Sequence, residues 1–392
     1  MRHGSTNIAV MSVKNPAIKT TFSSDTFKVV DLFSGVGGLS HGISSLNDFE
    51  VIAANEILKP MAQAYRLNHP MIEMFEGDIK EFGKKALKSR LGTVVPQTDI
   101  VVGGPPCQAY STVGKRLLDD PRGSLFQEYF RILQELKPKA FIFENVKGLI
   151  SMNSGELIHT IVELFETLGY KIQFQLLNAA NYGVPQLRER VIIVGTRSDI
   201  KFEFPKESHR DPESKATLFN SKLLPWRTLG DAIGDLPQIE SGEESFEYAS
   251  DAQNDFQRLM RRNAPNTLTD HNAPNHNPQL IALMNALPEG GTPKDLPQHL
   301  RPTSGFPNTY SRLWWHRPST TVTRNLGTPS SSRCIHPYCA RGLTTREGAR
   351  IQSFPDNYQF FGSRSDKNLQ IGNAVPPLLS QALARQLIKA FH

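Results

Sequence analysis

The sequence is poor in cysteine, has no long apolar run and carries only a mild excess of positive charge. Its 392 residues include three cysteines, Cys107, Cys334 and Cys339. Three is an odd and sparse set, which argues against a disulfide framework, and no His/Cys cluster with zinc spacing surrounds them. No run approaches the roughly 18 apolar residues of a membrane span, and the polar start lacks the order of a signal peptide. We therefore expect a cytosolic or nuclear protein with no membrane partner and no metal site of this kind.

Charge and length leave several classes of protein open. The net charge of +6 and the pI near 9.1 suit an anionic partner such as nucleic acid, but they also suit many other proteins. The length allows one large domain and a smaller one. Residues 1–26 are polar without periodicity and are predicted to form a flexible leader. After about residue 200, Pro, Asn, Asp and Gln become frequent and periodicity fades, which marks a domain boundary.

Short apolar strand patterns alternate with helical patterns in the first half of the chain, which predicts an α/β fold. The first strand, Phe27–Phe33, runs into the glycine-rich turn 34–40 and then into a helix. This order opens many nucleotide-binding units, because glycines let the backbone approach a ligand closely. A tight strand-to-helix connection without a ligand is the alternative. Further strands are predicted at 50–54, near 74–76, and at 99–102, 140–143, 171–178 and 191–195.

Two carboxylates follow the glycine turn at strand ends. Glu56 lies about twenty residues after the glycines, where an acidic residue commonly accepts hydrogen bonds from ribose hydroxyls. Asp78 lies at the end of the next strand, where an adenine amino group could donate to it. Together these residues predict an adenosine site, although either acid alone could be a helix cap or a turn residue.

Cys107 lies just after the Gly103–Pro106 turn at the end of the 99–102 strand. That edge of a sheet is where α/β enzymes place their chemistry, so a nucleophilic thiol is predicted, with a core cysteine as the alternative. The segment that follows is polar and basic, and it could close over a polyanion or be an ordinary surface loop. Its candidate contacts to a polyanion are Ser111, Lys115, Arg116 and Arg122.

Polar residues also mark the later strands. Glu144 at the end of the 140–143 strand could act as a general acid or only as a supporting hydrogen-bond partner. Gln186, Arg188 and Arg190 alternate, which places them on one face of an extended segment as a donor array for a carbonyl or an oxyanion. A salt-bridged strand edge is the alternative for that array.

The second half of the chain gives weaker patterns. Arg258, Arg261 and Arg262 form a basic cluster suited to phosphates, or else a solvated charged face. Residues 312–323 are rich in strand formers, 343–350 has an N-cap and a helical pattern, and 371–377 is predicted to be a turn that leads into a terminal helix, 378–391.

Five blocks in this order closely resemble the cytosine-5 DNA methyltransferases. They are Asp31–Gly38, Pro105–Gln108, Glu144–Val146, Gln186–Arg190 and Gly372–Pro377, and the match covers nearly the whole chain except the leader and the middle. The resemblance implies a doubly wound, Rossmann-like methyltransferase domain with a smaller, irregular target-recognition domain. It assigns 27–200 to the large catalytic and cofactor domain, 201–333 to target recognition and 334–392 to a return into the large domain.

The resemblance further implies S-adenosyl-L-methionine as the methyl donor. Phe33 would pack on the adenosyl group, Gly35 and Gly37 would approach the methionine part, and Glu56 and Asp78 would hold the ribose and the adenine. The other residues assigned to the cofactor site are Ile57, Ile79, Pro106, Leu125, Asn373 and Val375.

For the reaction we expect a cytosine flipped out of duplex DNA, because neither the thiol nor the methyl donor reaches a stacked base. The Cys107 thiolate would add to carbon 6, Glu144 would donate a proton to ring N3, and Arg190, supported by Arg188, would hold the O2 carbonyl. Alternatives are a tRNA cytosine-5 methyltransferase, which shares these blocks, and a non-catalytic DNA-binding module. A dehydrogenase does not account for Cys107.

The expected partner is double-stranded DNA, and the expected location is the nucleoid-associated cytoplasm of a bacterium. A restriction-modification setting would add a cognate endonuclease that forms no stable complex with the chain, which we expect to be a monomer.

Overall fold

The computed structural model describes residues 22–92, 97–106, 124–215, 221–306 and 308–392. The strands within these ranges are β1 (Phe27–Leu32), β2 (Phe49–Glu56), β3 (Glu73–Glu76), β4 (Ile100–Gly103), β5 (Ala140–Val146), β6 (Lys171–Asn178), β7 (Glu189–Thr196), β8 (His209–Arg210) and β9 (Leu224–Pro225). The helices are α1 (Gly38–Ser44), α2 (Lys59–Asn68), α3 (Lys84–Leu91), α4 (Ser124–Leu136), α5 (Gly148–Ser151), α6 (Glu156–Glu166), α7 (Leu229–Ile233), α8 (Asp255–Arg261), α9 (Pro278–Ala286), α10 (Thr345–Ile351), α11 (Arg364–Asn373) and α12 (Pro377–Phe391). Among the helices of these ranges, none has the length and apolar character needed to cross a membrane.

Seven strands form one sheet in the order β3-β2-β1-β4-β5-β7-β6. The first five are parallel, while β7 runs antiparallel to both of its neighbours. Strand order reverses between β1 and β4, and in open α/β sheets the carboxyl ends at such a reversal form the crevice that binds ligands. This architecture confirms the predicted α/β class and its doubly wound, Rossmann-like form.

Both faces of the sheet are covered. Successive residues of one strand enter different cores: Val101 packs with α3, α4 and α6, whereas its neighbours Ile100 and Val102 pack with α1 and α12. Alternation of side chains across a strand explains this division. Continuous apolar runs are the pattern of strands buried on both faces, which is why the sequence located them.

The irregular middle of the chain shares a core with its end. A third cluster joins residues of α7 and α8, such as Leu229 and Phe256, to residues of the last segment, such as Phe354 and Ile371. A fourth, smaller cluster surrounds α9 and includes Leu283 and Ile335. The predicted boundaries at 201 and 333 stay predictions. The third cluster contains residues on both sides of 333.

Two local predictions need correction. The segment 312–323 forms no regular strand: Arg312 pairs with Ile335 and Ser319 pairs with Gln186, each as a single bridge. The two bridges go to different parts of the chain, so no ladder propagates between them. The turn predicted at 371–377 begins later, because α11 continues through Asn373.

Candidate active site

A cavity of about 580 Å³ opens at the carboxyl ends of β1, β2, β4 and β5. Its volume lies in the usual range for a small-molecule site. The cavity brings together most of the residues that the sequence singled out, although they come from distant parts of the chain. The predicted residues that line it are Phe33, Gly35, Glu56, Ile57, Asp78, Ile79, Pro106, Leu125, Glu144, Arg188, Arg190, Asn373 and Val375.

The glycine turn after β1 has an uncommon backbone. Phe33 has φ 53°, Gly35 φ 56° and Gly37 φ 96°, a region that glycine adopts without steric penalty. A Cβ on Gly38 would lie 2.2 Å from the carbonyl oxygen of Val375. The glycine at the start of α1 therefore lets the Asn373–Val375 segment close against the turn.

Gly37 has a different surrounding from the one predicted. It does not line the cavity; a Cβ there would lie 2.9 to 3.0 Å from the side chains of Tyr65, His69 and Tyr358. Its missing side chain makes room for these rings beneath the turn. The contact of Gly37 with a methionine group stays a prediction.

Glu56, at the end of β2, is held in one orientation. Its two carboxylate oxygens accept hydrogen bonds from the backbone amides of Gly35 and Leu58, both at 2.8 Å. Burial raises the pKa of this carboxyl above its usual value, while the two amide bonds act in the opposite direction. A fixed carboxylate with lone pairs still available is suited to accept from ligand hydroxyls.

The rim of the cavity combines one acid with apolar side chains. Asp78 is exposed, and its Oδ1 accepts a hydrogen bond from the Lys80 amide at 3.0 Å. Ile57 is 63% exposed and Ile79 is buried. An apolar wall with one carboxylate at its edge can sandwich a flat heterocycle and accept from its amino group.

Glu144 and Arg190 form the charged pair of the site. Their Oε1 and Nε atoms are 2.8 Å apart, and both side chains are largely buried, with 12% and 13% exposure. Strand pairing explains the contact. In the antiparallel neighbours β5 and β7, Val146 lies opposite Arg190, and Glu144, two residues before Val146, projects from the same face of β5. A charge-assisted bond in such a position fixes both groups.

Gly104 and Asn145 were missed by the sequence reasoning, although both lie inside the motifs it used. A Cβ on Gly104 would lie 2.7 Å from Oε2 of Glu144, so only glycine leaves room for that carboxylate. Asn145 donates to the Pro105 carbonyl at 3.1 Å. The strand that carries Glu144 thus also holds the turn that leads to Cys107.

Several predicted residues lie outside the described part of the chain. They are Cys107, Ser111, Lys115, Arg116 and Arg122. Pro106, the residue directly before the cysteine, lines the cavity. The roles of all five stay predictions.

The three-residue donor array predicted at 186–190 is wrong in one respect. Gln186 is fully buried and its amide bonds Gln352 and Val322, so it is not available to a ligand. Arg188 donates to the carbonyls of Val322, Gly372 and Ala374, each at 3.0 Å. Alternation along the extended segment predicted which face these side chains share, but it did not predict their hydrogen-bond partners.

Arg188 still borders the cavity. Burial, with the nearby charge of Arg190, lowers its pKa to about 9, so the guanidinium stays charged at neutral pH. Its Nε is buried and has no hydrogen-bond partner among the described residues. The donors of Arg188 that are satisfied all go to backbone carbonyls, so its contacts are structural rather than directed at a ligand.

The basic cluster of α8 is partly neutralised. Arg258 pairs with Asp255 at 2.6 Å, and Arg261 pairs with the fully buried Asp235 at 3.1 Å while its guanidinium covers the Tyr248 ring at 3.8 Å. Arg262 is exposed. Contact of these arginines with DNA stays a prediction, and Arg261 already has an internal role.

Comparison with known proteins gives consistent matches. Residues 27–389 match the family described as C-5 cytosine-specific DNA methylase. Relatives include the type II methyltransferase M1.HphI of Haemophilus parahaemolyticus, 36% identical over 92% of this chain and 86% of the relative, and M.AgeI of Thalassovita gelatinovora, 34% identical over 92% and 99%. A crystal structure from E. coli, described as a DNA modification methyltransferase encoded within a prophage, superposes with a TM-score of 0.73 at 24% identity over 93% of this chain and 99% of that one.

Proposed function

Because the chain belongs to the C-5 cytosine-specific DNA methylase family, we propose specific roles for the residues that line its cavity. The protein is a DNA (cytosine-5-)-methyltransferase of the bacterial modification type. The Glu144–Arg190 pair at 2.8 Å, inside the same cavity as the glycine turn, is the observation that carries the assignment. In the proposed arrangement, one pyrimidine ring meets Glu144 as the acid and Arg190 as the carbonyl-binding cation.

S-adenosyl-L-methionine is the proposed cofactor, and when bound it supplies an electrophilic methyl group. The cavity fits it in three respects: the turn at Gly35 has room for close approach, Glu56 is fixed to accept from ribose hydroxyls, and Asp78 stands at the apolar rim for the adenine amino group. Phe33, Ile57, Ile79 and Leu125 would contact the adenine, while Asn373 and Val375 would close the opposite wall.

Carbon 5 of cytosine is a weak nucleophile, so electrons have to be pushed into the ring. The Cys107 thiolate adds to carbon 6 of a flipped-out cytosine, Glu144, protonated from solvent, donates that proton to N3, and Arg190 holds O2 as charge develops. Carbon 5 of the resulting enamine would take the methyl group from the sulfonium sulfur, so that S-adenosylhomocysteine is the leaving group. The carbon 5 proton is then lost to solvent, the N3 proton returns to Glu144, and elimination of the thiolate restores Cys107.

Arg188 acts one step away from this ring. Its hydrogen bonds to the carbonyls of Gly372 and Ala374 fix the segment that carries Asn373. Arg188 directly precedes the first residue of β7. We assign it a positioning role beside Arg190.

Duplex DNA is the proposed substrate, read by side chains of the irregular middle region, with Arg258 and Arg262 as phosphate contacts, whereas Arg261 is held by Asp235. The segment 111–122 would close on the DNA from the opposite side. We further propose that the methyltransferase is a monomer. A cognate endonuclease would act on the same DNA sequence without forming a stable complex with it. A tRNA substrate is not favoured, because the relatives are type II modification enzymes.

Asp78 gives a direct test of the cofactor site. Asp78→Ala should weaken binding of S-adenosylhomocysteine about 3- to 10-fold, since it removes roughly 1 kcal/mol of hydrogen bonding. Isothermal titration calorimetry should also show that the unaltered protein prefers the adenosine compound over its inosine analogue, which has a carbonyl in place of the amino group, and that Asp78→Ala loses this preference.

The control for this test is Glu76→Ala, two residues away. Glu76 is exposed, pairs with Arg66 at 2.6 Å and does not line the cavity, so its loss should leave the affinity within twofold. Retention of the preference for adenosine over inosine in Asp78→Ala would contradict the assignment.

A further inference from the structure

Gln352 is a fully buried glutamine that does not line the cavity. It directly follows α10, and its amide nitrogen donates to the carbonyls of Ile371 at 2.6 Å and Ala374 at 3.3 Å. Its Oε1 accepts a hydrogen bond from Nε2 of Gln186 at 2.8 Å. One amide group therefore touches two segments that are far apart in sequence.

The first of these segments is the wall of the cavity that contains Asn373 and Val375. Gln352 holds the carbonyl of Ile371, Arg188 holds that of Gly372, and both hold that of Ala374. A buried carbonyl that loses its donor costs about 1–3 kcal/mol. The carbonyls before and after Asn373 are thus fixed by side chains, and with them the orientation of Asn373.

The second segment is the extended stretch that leads to Arg190. Gln186 is fixed at its other amide atom as well, because its Oε1 accepts from the Val322 amide at 2.7 Å. Ser319 and Leu187 add a backbone bond of 2.8 Å. Four residues beyond Gln186, Arg190 meets Glu144. Hydrogen bonds therefore connect the Asn373 wall to Gln186 through Gln352, and the four-residue step along the backbone from Gln186 to Arg190 completes the link to the charged pair.

We propose that Gln352 is a positioning residue that links the Asn373–Val375 wall of the cofactor site to the Arg190–Glu144 pair. The inference rests on the proposed function, since it treats that wall as part of the cofactor site. Without the amide, the Ile371 carbonyl keeps only a 3.3 Å bond from the Ala374 backbone amide, and Nε2 of Gln186 keeps only a 3.3 Å bond to the Ile351 carbonyl. The wall then relaxes away from the cofactor. In the unaltered protein we expect cofactor binding to stiffen the segments 186–190 and 319–322, and this effect is lost without the Gln352 amide.

The principal variant is Gln352→Met, which keeps the length of the side chain but makes no hydrogen bonds of this kind. Its dissociation constant for S-adenosylhomocysteine should rise about tenfold by isothermal titration calorimetry. The affinity for DNA in the absence of cofactor should change less than twofold. Gln352→His, whose ring nitrogen can donate to a carbonyl, should recover part of the cofactor affinity.

Gln257→Met is the matched control. Gln257 is also fully buried and does not line the cavity; its amide oxygen accepts from the Gln253 backbone, and its Nε2 has no hydrogen-bond partner among the described residues. This variant should lose less thermal stability than Gln352→Met and bind S-adenosylhomocysteine within twofold of the unaltered protein. Equal losses of cofactor affinity in both variants would reduce Gln352 to a general packing role and overturn the proposal.

Hydrogen exchange of the unaltered full chain tests the link even if Gln352→Met does not fold. S-adenosylhomocysteine should slow exchange of the amides in 319–322, which does not line the cavity but bonds to Gln186. Protection confined to residues 372–375 would contradict the link. Failure of the unaltered protein to bind the ligand at all would instead contradict the proposed cofactor site.

Discussion

Replacement of Cys107 by alanine is expected to lower the methylation rate on the order of a thousandfold or more, to the background level. The thiolate is the group that activates carbon 5, and among the described residues that line the cavity there is no other thiol. Transfer of tritiated methyl groups from S-adenosyl-L-methionine to duplex DNA measures the effect. Binding of DNA and of S-adenosylhomocysteine should persist, because the contacts proposed to hold the duplex and the cofactor come from other residues.

Cys334→Ala supplies the control for this result. Cys334 is fully buried, and burial raises the pKa of its thiol to about 12, so it remains a protonated core group. Its loss should leave methylation within a few fold of the unaltered protein. Substantial methylation by Cys107→Ala would contradict covalent catalysis through this cysteine.

Replacement of Glu144 by glutamine is expected to lower kcat by about a hundredfold to ten-thousandfold, the range of general acid catalysis. The carboxamide keeps the shape of the side chain and its place beside Gly104. It cannot transfer a proton to ring N3, and it leaves the Arg190 guanidinium without its anionic partner. Single-turnover kinetics with preformed enzyme–DNA complex isolate this chemical step from product release.

Glu189→Gln is the matched control for Glu144. Glu189 precedes Arg190, but it pairs with Lys147 at 2.8 Å on the exposed side of the strand, where ion pairs contribute little. Its rate should stay within twofold. A Glu144→Gln variant with an unchanged single-turnover rate would remove the acid from the proposed mechanism.

The fold was predictable where one physical signal dominated. The parallel strands are buried on both faces, so each is a nearly continuous apolar run such as Ile100–Val102, and the sequence located them well. The glycine turn, Glu56 and Asp78 were predictable for a related reason. Ligand contacts collect at the carboxyl ends of parallel strands, and that edge can be read from strand order alone.

Partners across long sequence distances were not predictable. Arg188 lies two residues from Arg190 and alternates with it, yet its hydrogen bonds go to Gly372 and Ala374 near the end of the chain. The hydrogen-bond partners of Gln352 could not be read from the sequence, because Gln186 lies 166 residues away and Ile371 lies 19 residues away. Arg261 resembled a free cation until its partner Asp235 was located.

The structure of the irregular middle region could not be predicted from the sequence for a different reason. Residues 312–323 are rich in strand formers, but strand propensity is realised only against a neighbouring strand. Here Arg312 and Ser319 each find a different single partner. Sequence composition located the change in character after residue 200, and the packing of α7 and α8 against the last segment could not be read from it.

The central claim is that this chain transfers a methyl group to carbon 5 of cytosine in duplex DNA. Bisulfite sequencing of DNA from cells that express the chain, beside cells that express Cys107→Ala, tests it most directly. The account predicts protected cytosines at one short sequence context in the first sample and none in the second. Conversion of every cytosine to the same background in both samples would contradict it.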